Sequence, residues 1–163
     1  MSHPSSHAGF TLVEALIAAL VLCSAVGGLA HLVAVGTRQA ATARRSATAS
    51  QLAQSRLEDL RGLAWSFDEA GGRVSSADLA VAPDDALERD TPGYVDGVDE
   101  FGANVTLDHD SRAYLRRWRV SWIGGEGSDL LLLQVCVFAS GIGARVQQRA
   151  PDACVSAIRG RQP

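Results

Sequence analysis

The feature that most constrains this chain is a run of twenty-six residues, Phe10 to Val35, holding one carboxylate, Glu14, one histidine, His31, and no arginine or lysine. At ~1.5 Å of rise per residue such a run makes a helix of about 39 Å, longer than the ~30 Å hydrocarbon core of a bilayer. It contains no proline, and alanine and leucine dominate it, so a continuous membrane-length helix is expected, with Gly27 and Gly28 as its weakest point. Glu14 is the anomaly. An ionised carboxylate within a bilayer costs on the order of 2.5–3.5 kcal/mol on insertion scales, so an acid placed there calls for a function and a partner. A cleaved secretory signal would bring a basic leader and an uninterrupted apolar run, whereas Met1 to Gly9 has neither Arg nor Lys and Glu14 stands at the start of the run. A plain membrane anchor accounts for the length and the apolarity but not for Glu14.

Beyond that run the charge is unevenly spread. Residues 36–65 hold five arginines against Glu58 and Asp59, a balance of +3. Residues 66–110 hold twelve acids against Arg73 and Arg89, a balance of -10, and residues 111–163 hold eight arginines against three acids, a balance of +5. The net charge of -3 removes the global basic footprint on which non-specific nucleic-acid binding depends, so no nucleic-acid partner is expected.

The polar stretch after Val35 keeps a helical pattern. Ala53, Leu57, Leu60 and Ala64 fall on one face, Ala49 continues it backwards, and Arg56, Glu58, Asp59 and Arg61 lie off it. Because no proline interrupts the chain from Phe10 to Ala64, one helix is expected, with its first half (10–35) in lipid or a filament core and its second half (36–65) amphipathic. Residues 66–103, with Pro83-Asp84-Asp85 and Thr91-Pro92-Gly93, read as long acidic loops with at most short elements. Tyr114 to Trp122 alternates, with Tyr114, Arg116, Trp118, Val120 and Trp122 as the core-facing set and Arg116 at its edge. Gly124-Gly125-Glu126-Gly127 makes a turn into the apolar run Leu130 to Ala139, which predicts an antiparallel hairpin. Asn104 to Asp108 and Cys154 to Ile158 are weaker strand candidates. The expected fold is α+β: a long N-terminal helix whose amphipathic half packs on a small antiparallel head sheet of three or four strands within residues 104–163.

The run Gly9-Phe10-Thr11-Leu12-Val13-Glu14, followed at once by Ala15-Leu16-Ile17-Ala18-Ala19-Leu20, resembles the N-terminal processing signal of type IV pilins and type II secretion pseudopilins. The resemblance implies a leader of residues 1–9, cut after Gly9 by a prepilin peptidase that then methylates Phe10. It implies that Glu14 serves assembly, its carboxylate neutralising the terminal amine of a neighbouring subunit, since a buried charge is tolerated when it is paired. Tyr114-x-x-x-Trp118-x-Val120 before a Leu/Val-rich strand is similar to the minor pilins and minor pseudopilins of the same family. The partners so implied are the peptidase, other minor pilins and the major pilin (or other pseudopilins), and the inner membrane. The implied placement is a single pass with the head in the periplasm, before assembly into a pilus or pseudopilus. By charge alone, Arg38, Arg44 and Arg45 after the span would hold the C-terminal part in the cytoplasm.

An oxidising compartment would let Cys136 and Cys154 pair, closing a loop worth about 3 kcal/mol, as C-terminal disulfide loops do in many pilins; two buried thiols are the alternative. Cys23 reads as a small packing residue of the membrane helix, and His31 as an interfacial or helix-packing one. His109, between Asp108 and Asp110, reads as part of a solvated loop. Asp96, Asp99 and Glu100 around Gly97 offer the hard oxygens Ca²⁺ takes, without EF-hand spacing. No CxxC, P-loop, HExxH or GxSxG run occurs, so neither enzymatic activity nor a cofactor or metal is expected. A secreted or membrane-anchored binding protein or enzyme, and a membrane-tethered sensor, stand as readings of a different class.

Overall fold

The computed structural model describes residues 11–108, 111–140 and 150–163. Helix α1, Leu12–Gly62, runs for fifty-one residues. Its start is capped from within the sequence: the Thr11 hydroxyl accepts the Glu14 backbone N–H at 3.3 Å, and the Thr11 carbonyl accepts the Ala15 N–H at 3.2 Å. Thr followed three residues later by Glu is the pattern of a capping box. The described residues belong to two compact units, one ending at Ala43 and the other running Arg44–Pro163.

In the first unit every described residue is exposed, including Leu12, Ile17, Leu20, Leu22 and Leu29. An 18-residue window of α1 has a mean hydropathy of 2.3, so this helix is long and apolar enough to cross a membrane. Gly27, Gly28 and Gly36 do not interrupt it.

In the second unit, α1 buries Ala49, Ala53, Leu57 and Leu60, which are the expected stripe without Ala64; Ala64 lies past the helix end and is exposed. The chain then forms β1 (Trp65–Phe67) and β2 (Arg73–Ser75), a two-stranded antiparallel sheet. The main sheet is built from β3 (Val95–Val98), β4 (Asn104–Val105), β5 (Tyr114–Trp122), β6 (Leu130–Ala139) and β7 (Ala153–Gly160). Its order is β4-β3-β5-β6-β7 and every neighbouring pair is antiparallel.

The hairpin β5–β6 has the expected bounds, and Gly124, Gly125 and Gly127 between its strands all have positive φ, which a side chain would oppose. Five strands stand where three or four were expected, because β3 arises inside the acidic stretch read as loop. Gly97 lets it close: a Cβ there would sit 2.9 Å from the Val105 carbonyl oxygen of β4.

Trp118 and Val120 of β5 and Leu131, Leu133, Val135 and Val137 of β6 pack with the α1 stripe, Trp65 and Leu79 into one core. This is the expected core face. The opposite face is covered as well: Leu115, Cys136 and Phe138 form a second cluster beneath Leu87, Val95 and Leu107. The stretch that read as surface loop is thus in part a layer laid over the back of the sheet.

Candidate functional site

Two groups of residues carry the functional expectations, one at the N-terminus and one in the head. Gly9 and Phe10, the expected processing residues, lie outside the described residues. Glu14 is described: it occupies the first turn of α1, exposed, with its N–H held by Thr11. An acid in the first turn sits at the positive end of the helix dipole, the end where anionic side chains are preferred. Thr11 therefore has a local role that the motif alone did not reveal, although its spacing to Glu14 was readable in the sequence. His31 and Cys23 are exposed on α1, and Cys23 is a free thiol.

In the head, Cys136 and Cys154 form a disulfide. The register makes this possible, because the two residues face each other across β6 and β7 with Cα atoms 4.2 Å apart. That separation is typical of the narrow, non-hydrogen-bonded pairs of an antiparallel ladder. The bridge ties β7, the last strand of the chain, to the hairpin that makes the core.

Two of the acids considered for calcium, Asp96 and Asp99, have other work, and Glu100 is exposed. Asp96 holds Arg116 by two bonds of 2.8 and 2.7 Å, and the Asn104 side-chain oxygen accepts a third at 2.8 Å, so Arg116 is buried at 4% exposure instead of lying at an edge. The Asp99 carboxylate accepts the backbone N–H groups of Phe101 and Ala103 at 2.9 and 2.8 Å, which shapes the β3–β4 turn. Among the described residues no group of three or more His, Cys, Asp or Glu converges. His109 lies outside the described residues.

Sequence reasoning missed a set of arginines that lock the layers together. Arg117, 1% exposed on the back of the sheet, donates to Asp90 at 3.0 and 2.8 Å and to the Leu87 and Glu88 carbonyls at 3.1 and 3.0 Å. Arg56 of α1 stacks 4.0 Å over Trp118, and Arg161 stacks 3.4 Å over Trp65 while donating to Asp129 at 2.9 Å. Arg159 donates to the Leu60 and Leu63 carbonyls and so caps the C-terminal end of α1. The signal available was that every basic residue in the chain is arginine, whose flat, multi-donor head suits burial against rings and carbonyls better than an ammonium does.

Compared with protein-family models, with curated proteins and with solved structures, the chain matches none.

Proposed function

We propose that this chain is a minor type IV pilin of the PilV kind, a structural subunit of pilus assembly or priming that a prepilin peptidase cuts after Gly9. The observation that carries the reading is Gly9-Phe10-Thr11-Leu12-Val13-Glu14 running without a break into a helix of membrane length. Three features support it. The acid at the fifth position of the proposed mature chain lies in the first helical turn, next to the terminus that cleavage would create. One helix supplies both an exposed apolar half and the buried stripe of the head. The head is a small antiparallel sheet closed by a disulfide near its C-terminus, as befits an oxidising compartment.

On this reading the mature chain sits in the inner membrane with its head in the periplasm, and Phe10 is N-methylated. In the filament, Glu14 neutralises the terminal amine of an adjacent subunit, and the partners are other minor pilins and the major pilin. The test is Gly9→Val. A bulky side chain there should block the peptidase, leaving the protein at precursor mass and absent from sheared filaments. Normal mature mass and normal incorporation would refute the reading.

A further inference from the structure

Among the described residues the strand β7 forms one edge of the main sheet, and the register says which of its backbone groups no described strand pairs. Arg161 donates to the Asp129 carbonyl at 2.9 Å, so residues of odd number along β7 face β6 with their hydrogen-bonding groups. Cys154, Ser156, Ile158 and Gly160 therefore turn their N–H and C=O groups outward, in keeping with the narrow Cys136–Cys154 pair. The outward row carries no charge and no proline, two of the devices by which edge strands resist pairing, and Ile158 is 65% exposed. Two residues further on, the same edge is already paired. Gln162 donates to Trp65 at 3.1 Å and accepts from Phe67 at 2.8 Å, in a parallel bridge to β1.

A groove of about 480 Å³ runs beside the open edge, lined by Ile158, Arg159, Gly160 and Gln162 on one side and by Glu58, Arg61 and Gly62 at the end of α1 on the other. Two guanidiniums against one carboxylate leave it one positive charge in excess. Glu58 is engaged by Arg61 at 2.9 Å, whereas Arg159 has no ion pair among the described residues. Its bonds to two backbone carbonyls leave further N–H donors of the guanidinium for an acceptor. Burial, and after it the nearby Arg61 charge, lower the Arg159 pKa, which is the mark of a cation short of a counter-charge.

We propose that this groove binds an extended strand of another protein, which adds to the free edge of β7 through main-chain hydrogen bonds and sets a carboxylate against Arg159 and Arg61. The described strands of a second copy do not meet that description. Among its described strands the only acid is Asp96, and it is held by Arg116. The proposal is independent of N-terminal processing, so a mature terminus other than Phe10 leaves it standing.

The test uses the full-length chain in detergent micelles and a fluorescent, end-blocked peptide, Thr-Val-Glu-Val-Thr, with its Glu-to-Lys twin. The Glu peptide should bind and slow exchange of the Ser156 and Ile158 amide hydrogens by about tenfold or more, while the Lys twin binds about tenfold more weakly. Ile158→Pro removes an outward N–H without touching the ladder to β6, so binding should be lost while the disulfide and melting temperature persist. Should that variant fail to fold, Arg61→Gln, at an exposed position, should weaken the Glu peptide and narrow its advantage over the Lys twin. No binding of the Glu peptide, equal affinity for both peptides, or protection appearing elsewhere than β7 would overturn the proposal. So would self-association of the chain that buries the same amides.

Discussion

Arg117 shows what a single buried charge does in this head. It lies on the face of β5 that alternation assigns to solvent, yet it is closed in by Asp90, two carbonyls and the Phe138 ring, whose centroid is 4.8 Å from the guanidinium carbon. Removing the carboxylate strands the cation, although the two carbonyls still hold it. Asp90→Ala should therefore cost about 2–3 kcal/mol, somewhat below the usual cost of breaking a buried pair. Arg117→Met should cost less, and the double variant should be more stable than the sum of the singles by about 1 kcal/mol or more. Thermal melts of the four proteins in one detergent measure that coupling, and simple additivity would contradict it. Glu14 is the other decisive residue. Under the proposed function, Glu14→Ala is inserted and cleaved but poorly assembled, because a neighbour's buried amine loses a partner at roughly 3–5 kcal/mol. Wild-type amounts of that variant in sheared filaments would count against the role.

At the scale of elements, the disulfide joins β7 to β6 and reinforces their ladder. Losing such a bridge from a small domain typically costs about 2–5 kcal/mol. Cys136→Ser and Cys154→Ser should each lower the melting temperature and accumulation, with the double variant no worse than either single one. Thiol labelling of denatured, unreduced protein checks the bridge itself, since free reaction at both head positions would exclude it. Which elements were legible follows from their physics. The β5–β6 hairpin announces itself through alternation and a glycine turn, and the α1 stripe through helical spacing, because each is a local pattern. The strand β3 has only four residues, with Asp96 and Gly97 in the middle, and exists through long-range pairing that no local window contains. The covered back of the sheet was hidden for the same reason: Leu115, Arg117 and Arg119 alternate like a solvent face, and only partners from elsewhere in the chain, residues 87–90 and Leu107 among them, make that face interior. Of the N-terminal site, Glu14 and its Thr11 cap are placed by local rules, and the sequence motif alone speaks for Gly9 and Phe10.

At the scale of the molecule, one helix serves two environments, an apolar stretch exposed along its whole described length and a stripe buried in a disulfide-closed head. Under the proposed function these are the requirements of a subunit stored in a membrane and then transferred into a filament: a span that exchanges lipid for other helices, and a head that keeps its fold through the transfer. Whether the chain is a processed pilin subunit turns on where the mature protein begins. Intact-mass and N-terminal peptide analysis of the protein purified from its native membrane tests this most directly. The expected result is a mature chain that starts at Phe10 and carries one methyl group on its terminal amine. A chain that retains Met1, or one cut within the apolar run as a secretory signal is, would refute it.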